Sequence, residues 1–160
     1  MSLLRELGFL IHRITGARKV PDLLPHPEGA TTLALRGFTQ LDAYSCGAVA
    51  GWCVVWSFDR RRSFERFFRI CETSPDGTGV APLIRALEAH GISVKHQRHK
   101  LPFETLCRWI DQGLPVICII DEDRRDDTAH WMVVYGYARK PDVVYAFSGA
   151  LRVIHPSAHS

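Results

Sequence analysis

Apolar residues at Leu3, Leu7, Leu10, Ile11 and Ile14, with Arg5, Glu6, His12 and Arg13 between them, predict a short amphipathic helix over residues 3–14. The next stretch, GARKVPDLLPHPEGA, carries three prolines and two glycines and reads as an irregular, extended arm over residues 16–30. After Cys46 the segment GAVAGWCVVWSF is apolar on nearly every side, which predicts a helix buried all round. A second helix, SFERFFRIC, follows a candidate cap at Ser63. A third starts from Thr78, with Pro82 in its first turn and Gly91 where it stops. A fourth opens at Pro102, places Phe103, Leu106 and Ile110 on one side, and ends at Gly113.

Beyond Gly113 the period changes. LPVICII, HWMVVYGY, VVYAFSG and LRVIH are short segments rich in β-branched and aromatic residues, separated by turn signals. Consecutive strands joined as hairpins predict an antiparallel sheet, and helices followed by strands predict an α+β domain with two segregated layers. The boundaries expected are an N-terminal helix and arm over residues 1–30 and a single folded domain over 31–160.

Composition narrows the function classes. At 160 residues, 46% of them apolar and 10% aromatic, the chain suits one domain with one real core. Twenty Lys and Arg against seventeen Asp and Glu leave a net charge of +3, too mild to argue for nucleic acid. Arg60, Arg61 and Arg62 sit beside Phe64, Phe67 and Phe68, but these phenylalanines fall at helical core spacing, and Asp59 and Glu65 flank the arginines. The five cysteines, without a Cys-x-x-Cys pair, read as reduced thiols, and Glu6, His12 and Arg13 interrupt the N-terminal apolar residues, so a cytoplasmic protein without an export signal or membrane span is expected. His96 and His99 lack a cysteine pair at finger spacing, and no glycine-rich phosphate loop follows a strand, so neither metal nor cofactor is expected. Trp52, Trp56, Trp109 and Trp131 read as core.

The segment QLDAYSCGAVAGWCVVW carries the chemistry. Cys46 stands where the chain enters the buried helix, and unpaired backbone N–H groups at a helix N-terminus favour the thiolate. Gln40, six positions earlier, can donate its carboxamide to the oxyanion that grows when a thiolate attacks a carbonyl. A cysteine nucleophile needs a base. Of the eight histidines, His130 is the best placed, at the start of the strand HWMVVYGY. Cys53, Cys71, Cys107 and Cys118 read as structural.

Gln, five residues, then Cys-Gly opening a helix, followed about eighty residues later by His-Trp, four apolar or aromatic residues and Gly-Tyr, resembles the papain-like peptidases. Within them the chain is most similar to the bacteriocin-processing (double-glycine leader) peptidase family and its stand-alone bacterial relatives. SPDGTGVAPLIRALEAHGISVKHQ and GLPVICII add to the likeness, which covers roughly residues 38–148. It implies a papain-like two-lobed fold with a cleft for a peptide. Cys46 would be the nucleophile, His130 the general base and then acid, and Gln40 an oxyanion donor together with the Cys46 backbone N–H. Gly47, Trp131 and Asp127 would line the substrate groove.

At the fourth position the chain departs from the family. The Asp or Asn usual about sixteen residues after the histidine falls in YAFSG, where Ala146 and Phe147 cannot orient an imidazole. Ser148 can accept a hydrogen bond from it; Asp142 can do so only in a different hairpin register. Three functions follow. The first is a cysteine peptidase acting on a peptide or protein, the likeness suggesting small residues such as a Gly-Gly site. The second is a catalytically silent module that binds a peptide. The third is an acyl transferase using the same dyad, as in the related phytochelatin synthases. The acidic loop Asp121, Glu122, Asp123, Asp126 and Asp127 reads as a solvated hairpin tip, or as a border of the cleft that attracts basic substrate segments.

Overall fold

The computed structural model describes residues 23–40, 42–98, 100–121, 129–149 and 151–155; the helix expected over residues 3–14 lies outside them, as does most of the acidic loop. Among the described residues four helices precede four consecutive strands, as the change of period predicts.

Helix α1, Cys46–Phe58, is buried at every residue from Cys46 to Val55, in line with its uniformly apolar sequence. Helix α2, Phe64–Ile70, starts at Ser63, whose hydroxyl accepts from the Arg66 N–H at 3.3 Å, and buries Phe64, Phe67 and Phe68. Helix α3, Val80–Ala89, is preceded by Gly79 and buries Leu83, Ala86 and Leu87. Gly91, at φ +82°, turns the chain out of it. Helix α4, Phe103–Asp111, follows Pro102 and buries Leu106, Cys107 and Ile110. Gly51 lets α2 and α3 approach α1 closely. A Cβ there would stand 2.7 Å from both Leu83 Cδ1 and Phe67 Cζ.

The sheet is antiparallel and has five strands: β1, Thr31–Thr32; β2, Val116–Asp121; β3, Ala129–Ala138; β4, Val143–Phe147; and β5, Leu151–Ile154. β3 is central. It pairs along one edge with β2 over Ala129 to Val134 and then with β1 over Gly136 and Tyr137, and along its other edge with β4. β1 is an addition to the strands expected from sequence, being only two residues long and contributed from ahead of the helices.

Hydrophobic cores lie on both faces of this sheet. On one, Val133, Tyr135 and Phe147 pack with Val49, Trp52, Cys53, Phe67 and Leu83 from α1, α2 and α3. On the other, Met132, Val134, Tyr137, Val144 and Ala146 pack with Leu106, Cys107 and Ile110 of α4. The fourth helix therefore departs from a strictly two-layered arrangement, because both faces of the sheet are apolar and each requires cover. Tyr135 and Tyr137 face opposite cores although they are two residues apart. The register shift between Val134 and Gly136 inserts an extra residue and switches the strand's alternation. Polar contacts then fix α4: the Tyr137 hydroxyl donates to Asp111 Oδ1 at 2.8 Å, and Arg139 donates to both carboxylate oxygens of Glu104 at 2.7 and 2.8 Å.

The described end of the arm packs on the domain. Leu24 is buried, its N–H donates to Leu35 O at 2.8 Å, and the Tyr135 hydroxyl donates to Pro25 O at 3.2 Å. Of the four tryptophans, Trp52 is buried in the helix-side core, Trp56 and Trp131 pack at its margin, and Trp109 is half-buried outside either core cluster. Among the described residues no helix is long and apolar enough to cross a membrane.

Candidate active site

Cys46 is the first residue of α1. The residue keeps 7% of its surface open, whereas Cys53, Cys71 and Cys107 keep none. Burial pushes the Cys53 and Cys71 thiols up to about 12 and the Cys118 thiol up to about 11, and raises that of Cys107. These four are held as neutral thiols by the loss of hydration around them. All five cysteines are free.

The loop before α1 is organised by Asp42. Its Oδ1 accepts from the Tyr44 N–H at 2.9 Å and the Ser45 N–H at 2.6 Å, and its main-chain carbonyl accepts from Gln40 Nε2 at 2.7 Å. Ser45 precedes the helix without making a side-chain cap, and the Asp42 carboxylate serves the turn ahead of the helix rather than the amides inside it. Among the described residues the Cys46 N–H donates to no acceptor.

Trp131 brings the strand bearing His130 to this helix end. Its indole Nε1 donates to Thr78 O at 2.9 Å, and its ring covers Gly47. A Cβ at position 47 would lie 2.7 Å from Thr78 Cβ and 2.9 Å from Trp131 Cδ1, so the residue after Cys46 has room for no side chain. Thr78 is buried, with its hydroxyl 2.8 Å from that of Thr73.

His130 lies next to Trp131 on β3, and its Nε2 is hydrogen-bonded to Ser148 Oγ, just beyond β4. The register explains why Ser148, not Asp142, reaches the ring. Phe147 pairs with Val133 and Val143 with Ala138, so Asp142 falls at the opposite end of the hairpin from His130. Gly149, at φ +68°, packs on the Gln40 loop. A Cβ there would stand 3.2 Å from Gln40 N and 3.3 Å from Gln40 Cβ. Among the described residues no hydrogen bond joins Cys46 directly to His130.

The structure thus brings together, through the Trp131–Gly47 and Gly149–Gln40 contacts, the loop of Gln40, the helix start at Cys46, and the strand ends carrying His130 and Ser148. Asp127 lies outside the described residues. Asp42 and Thr78 are additions to the expected site. The spacing Asp-x-x-Ser ahead of an apolar helix was the available signal for the first. The second accepts through its main-chain carbonyl and leaves no mark in sequence. Among the described residues no group of three or more His, Cys, Asp and Glu is placed to hold a metal ion.

A thiol at a helix start, a carboxamide bonded to the loop that leads to it and an imidazole bonded through Nε2 are groups of the kind that support attack on a carbonyl. The model of the peptidase C39 family, the bacteriocin-processing peptidases, matches residues 36–147. No curated protein and no solved structure matches the chain. The family match spans the Gln40 loop, Cys46 and His130 and covers well over half of the sequence: this chain belongs to the peptidase C39 family.

Proposed function

We propose that the protein is a cytoplasmic cysteine peptidase in which Cys46 attacks the scissile carbonyl of a peptide or protein and His130 serves as base and then acid. Family membership implies a cysteine peptidase and a peptide substrate; the residue roles rest on the site. In this reading the His130 Nε2–H donates to Ser148 Oγ, which leaves Nδ1 to take the Cys46 proton. The thiolate adds to the carbonyl, and the oxyanion is held by the Cys46 N–H and one amide proton of Gln40, whose other amide proton is engaged with Asp42 O. The imidazolium protonates the leaving amine, and water then hydrolyses the thioester with the same imidazole as base.

The hydrogen bond between His130 and Ser148 is the observation that carries this reading, since it fixes the ring through Nε2 and leaves Nδ1 outside that bond. The Trp131–Gly47 contact supports it by tying the histidine strand to the cysteine helix. Residues 31–160 form the proposed peptidase domain, with residues 1–30 as its N-terminal appendage. Cleavage after small residues such as Gly-Gly is proposed from the family.

A second reading, a peptide-binding module without turnover, is favoured by two observations: a neutral hydroxyl stands where a carboxylate or carboxamide is usual, and no direct hydrogen bond joins Cys46 to His130. Iodoacetamide labelling followed by mass spectrometry separates the two. A peptidase alkylates Cys46 near pH 6 much faster than its other thiols, slows at Cys46 in His130→Ala, and releases the fluorophore from a peptidyl-Gly-Gly aminocoumarin amide, whereas Cys46→Ala does not. Equal labelling of Cys46 in wild type and His130→Ala, with no release, selects the binding module. A competing amine appearing in the product selects acyl transfer.

A further inference from the structure

Asp42 lies outside the Cys–His–Gln set, yet three of its contacts converge on that set. Its Oδ1 takes the N–H groups of Tyr44 and Ser45, the two residues immediately before the nucleophile. Its carbonyl takes Gln40 Nε2. One residue therefore fixes both the turn that delivers Cys46 and the carboxamide of Gln40. The two functions are linked, because the carboxylate sets the fold of the turn and the turn sets where the Asp42 carbonyl points.

We infer that Asp42 is a positioning residue that holds Gln40 and the Cys46 N–H as a preformed pair of oxyanion donors. By satisfying the Tyr44 and Ser45 amides, the carboxylate leaves the Cys46 N–H as the next donor along the turn, without an acceptor among the described residues. By engaging one amide proton of Gln40, the carbonyl fixes the carboxamide and leaves its second proton to donate. Preorganisation of this kind matters because donors that must reorient during reaction stabilise the oxyanion less than donors already in place. On its far side Gln40 rests against Gly149, next to the Ser148 that bonds His130, so the clamp is continuous with the support of the imidazole. A carboxylate at this helix end also disfavours a thiolate electrostatically, so its presence is better explained by geometry than by activation of sulfur.

The inference rests on the peptidase reading for the use of the donors, though not for their placement. Its test compares Asp42→Ala, Asp42→Asn, Gln40→Ala and the double variant Asp42→Ala/Gln40→Ala. Two readouts are used: NMR of the Gln40 side-chain amide, and cleavage of the peptidyl-Gly-Gly aminocoumarin amide. In Asp42→Ala the two Gln40 amide protons should move to the positions of a free carboxamide and exchange with water about tenfold faster. In Asp42→Asn, which keeps an acceptor oxygen, they should stay as in wild type. Loss of one oxyanion donor costs on the order of 100-fold in kcat, so Gln40→Ala sets the scale. Asp42→Ala should match or exceed it, Asp42→Asn should recover most of the loss, and the double variant should be no worse than Asp42→Ala. Alkylation of Cys46 by iodoacetamide, which forms no oxyanion, should not slow in Asp42→Ala. An unchanged Gln40 amide in Asp42→Ala, or losses that multiply in the double variant, overturns the inference. If wild type cleaves nothing, the peptidase reading fails, while the amide resonances still decide whether Asp42 holds Gln40.

Discussion

Ser148 and His130 are hydrogen-bonded across the open end of the β3–β4 pair, Oγ to Nε2. A hydroxyl can fix the ring's direction, but it adds no negative charge to stabilise an imidazolium. Ser148→Ala should therefore lower kcat/KM by about 3- to 10-fold, the worth of one hydrogen bond of about 1 kcal/mol. Ser148→Asp should accelerate Cys46 alkylation at pH 5–6, because a carboxylate beside the ring favours the protonated imidazole partner of a thiolate. Peptide-cleavage kinetics of wild type and Ser148→Ala check the first expectation, and rates of iodoacetamide labelling against pH in wild type and Ser148→Asp check the second.

The packing of Gly47 under Trp131 and Thr78 makes a sharp steric expectation. Gly47→Ala introduces a Cβ closer than 3.0 Å to two neighbours. Accommodation should cost about 1–3 kcal/mol and push β3 away from α1. Urea denaturation should report the first, and a large fall in turnover with folding retained should report the second.

Trp131 also bonds through its indole N–H to Thr78 O. Trp131→Phe keeps most of the apolar contact but leaves that carbonyl without its donor, a loss of about 1–3 kcal/mol. The same variant should show faster amide exchange in residues 77–79 than wild type.

Stability should fall in alkali. The Cys53 and Cys71 thiols are raised to about 12 by burial, so between the ordinary thiol value and that point the unfolded chain loses protons that the folded chain keeps. Each such thiol then lowers stability by about 1.4 kcal/mol per pH unit. The contribution is complete below about pH 8.5 and declines as pH rises towards 12. Urea midpoints at pH 8, 9.5 and 10.5 should decrease in that order, and Cys53→Ala should flatten the decline.

In the helix-side core, Phe67 is fully buried and meets both Trp52 and His90. Phe67→Ala should cost about 3–5 kcal/mol, measured by thermal or urea unfolding, and should free space beside Gly51.

The helices were legible because their signals are local. A uniformly apolar run gave α1, Ser63 started α2, and Gly91 and Gly113 marked ends where φ is positive. Cys46, Gln40 and His130 stood out because each residue type suits one step of thiol chemistry. The orienting group was left open between Ser148 and Asp142, since strand register is a pairing property that the segments do not carry individually; the observed register places Ser148 against the ring. β1 was missed because Thr31 and Thr32 form too short a run to show a period. The side on which α4 packs was equally hidden. Its amphipathic stripe announces that it packs, while the face it covers is set by side chains of β3 and β4 that are distant in sequence.

The register shift between Val134 and Gly136 gives the histidine strand two masters. Before it, odd-numbered side chains of β3 answer to α1, α2 and α3; after it, Tyr137 answers to α4. Repacking α4, on the side of the sheet remote from α1, should thus reach the imidazole along a single continuous strand. Turnover in the proposed peptidase should then respond to packing behind the sheet, at positions that meet neither Cys46 nor Gln40.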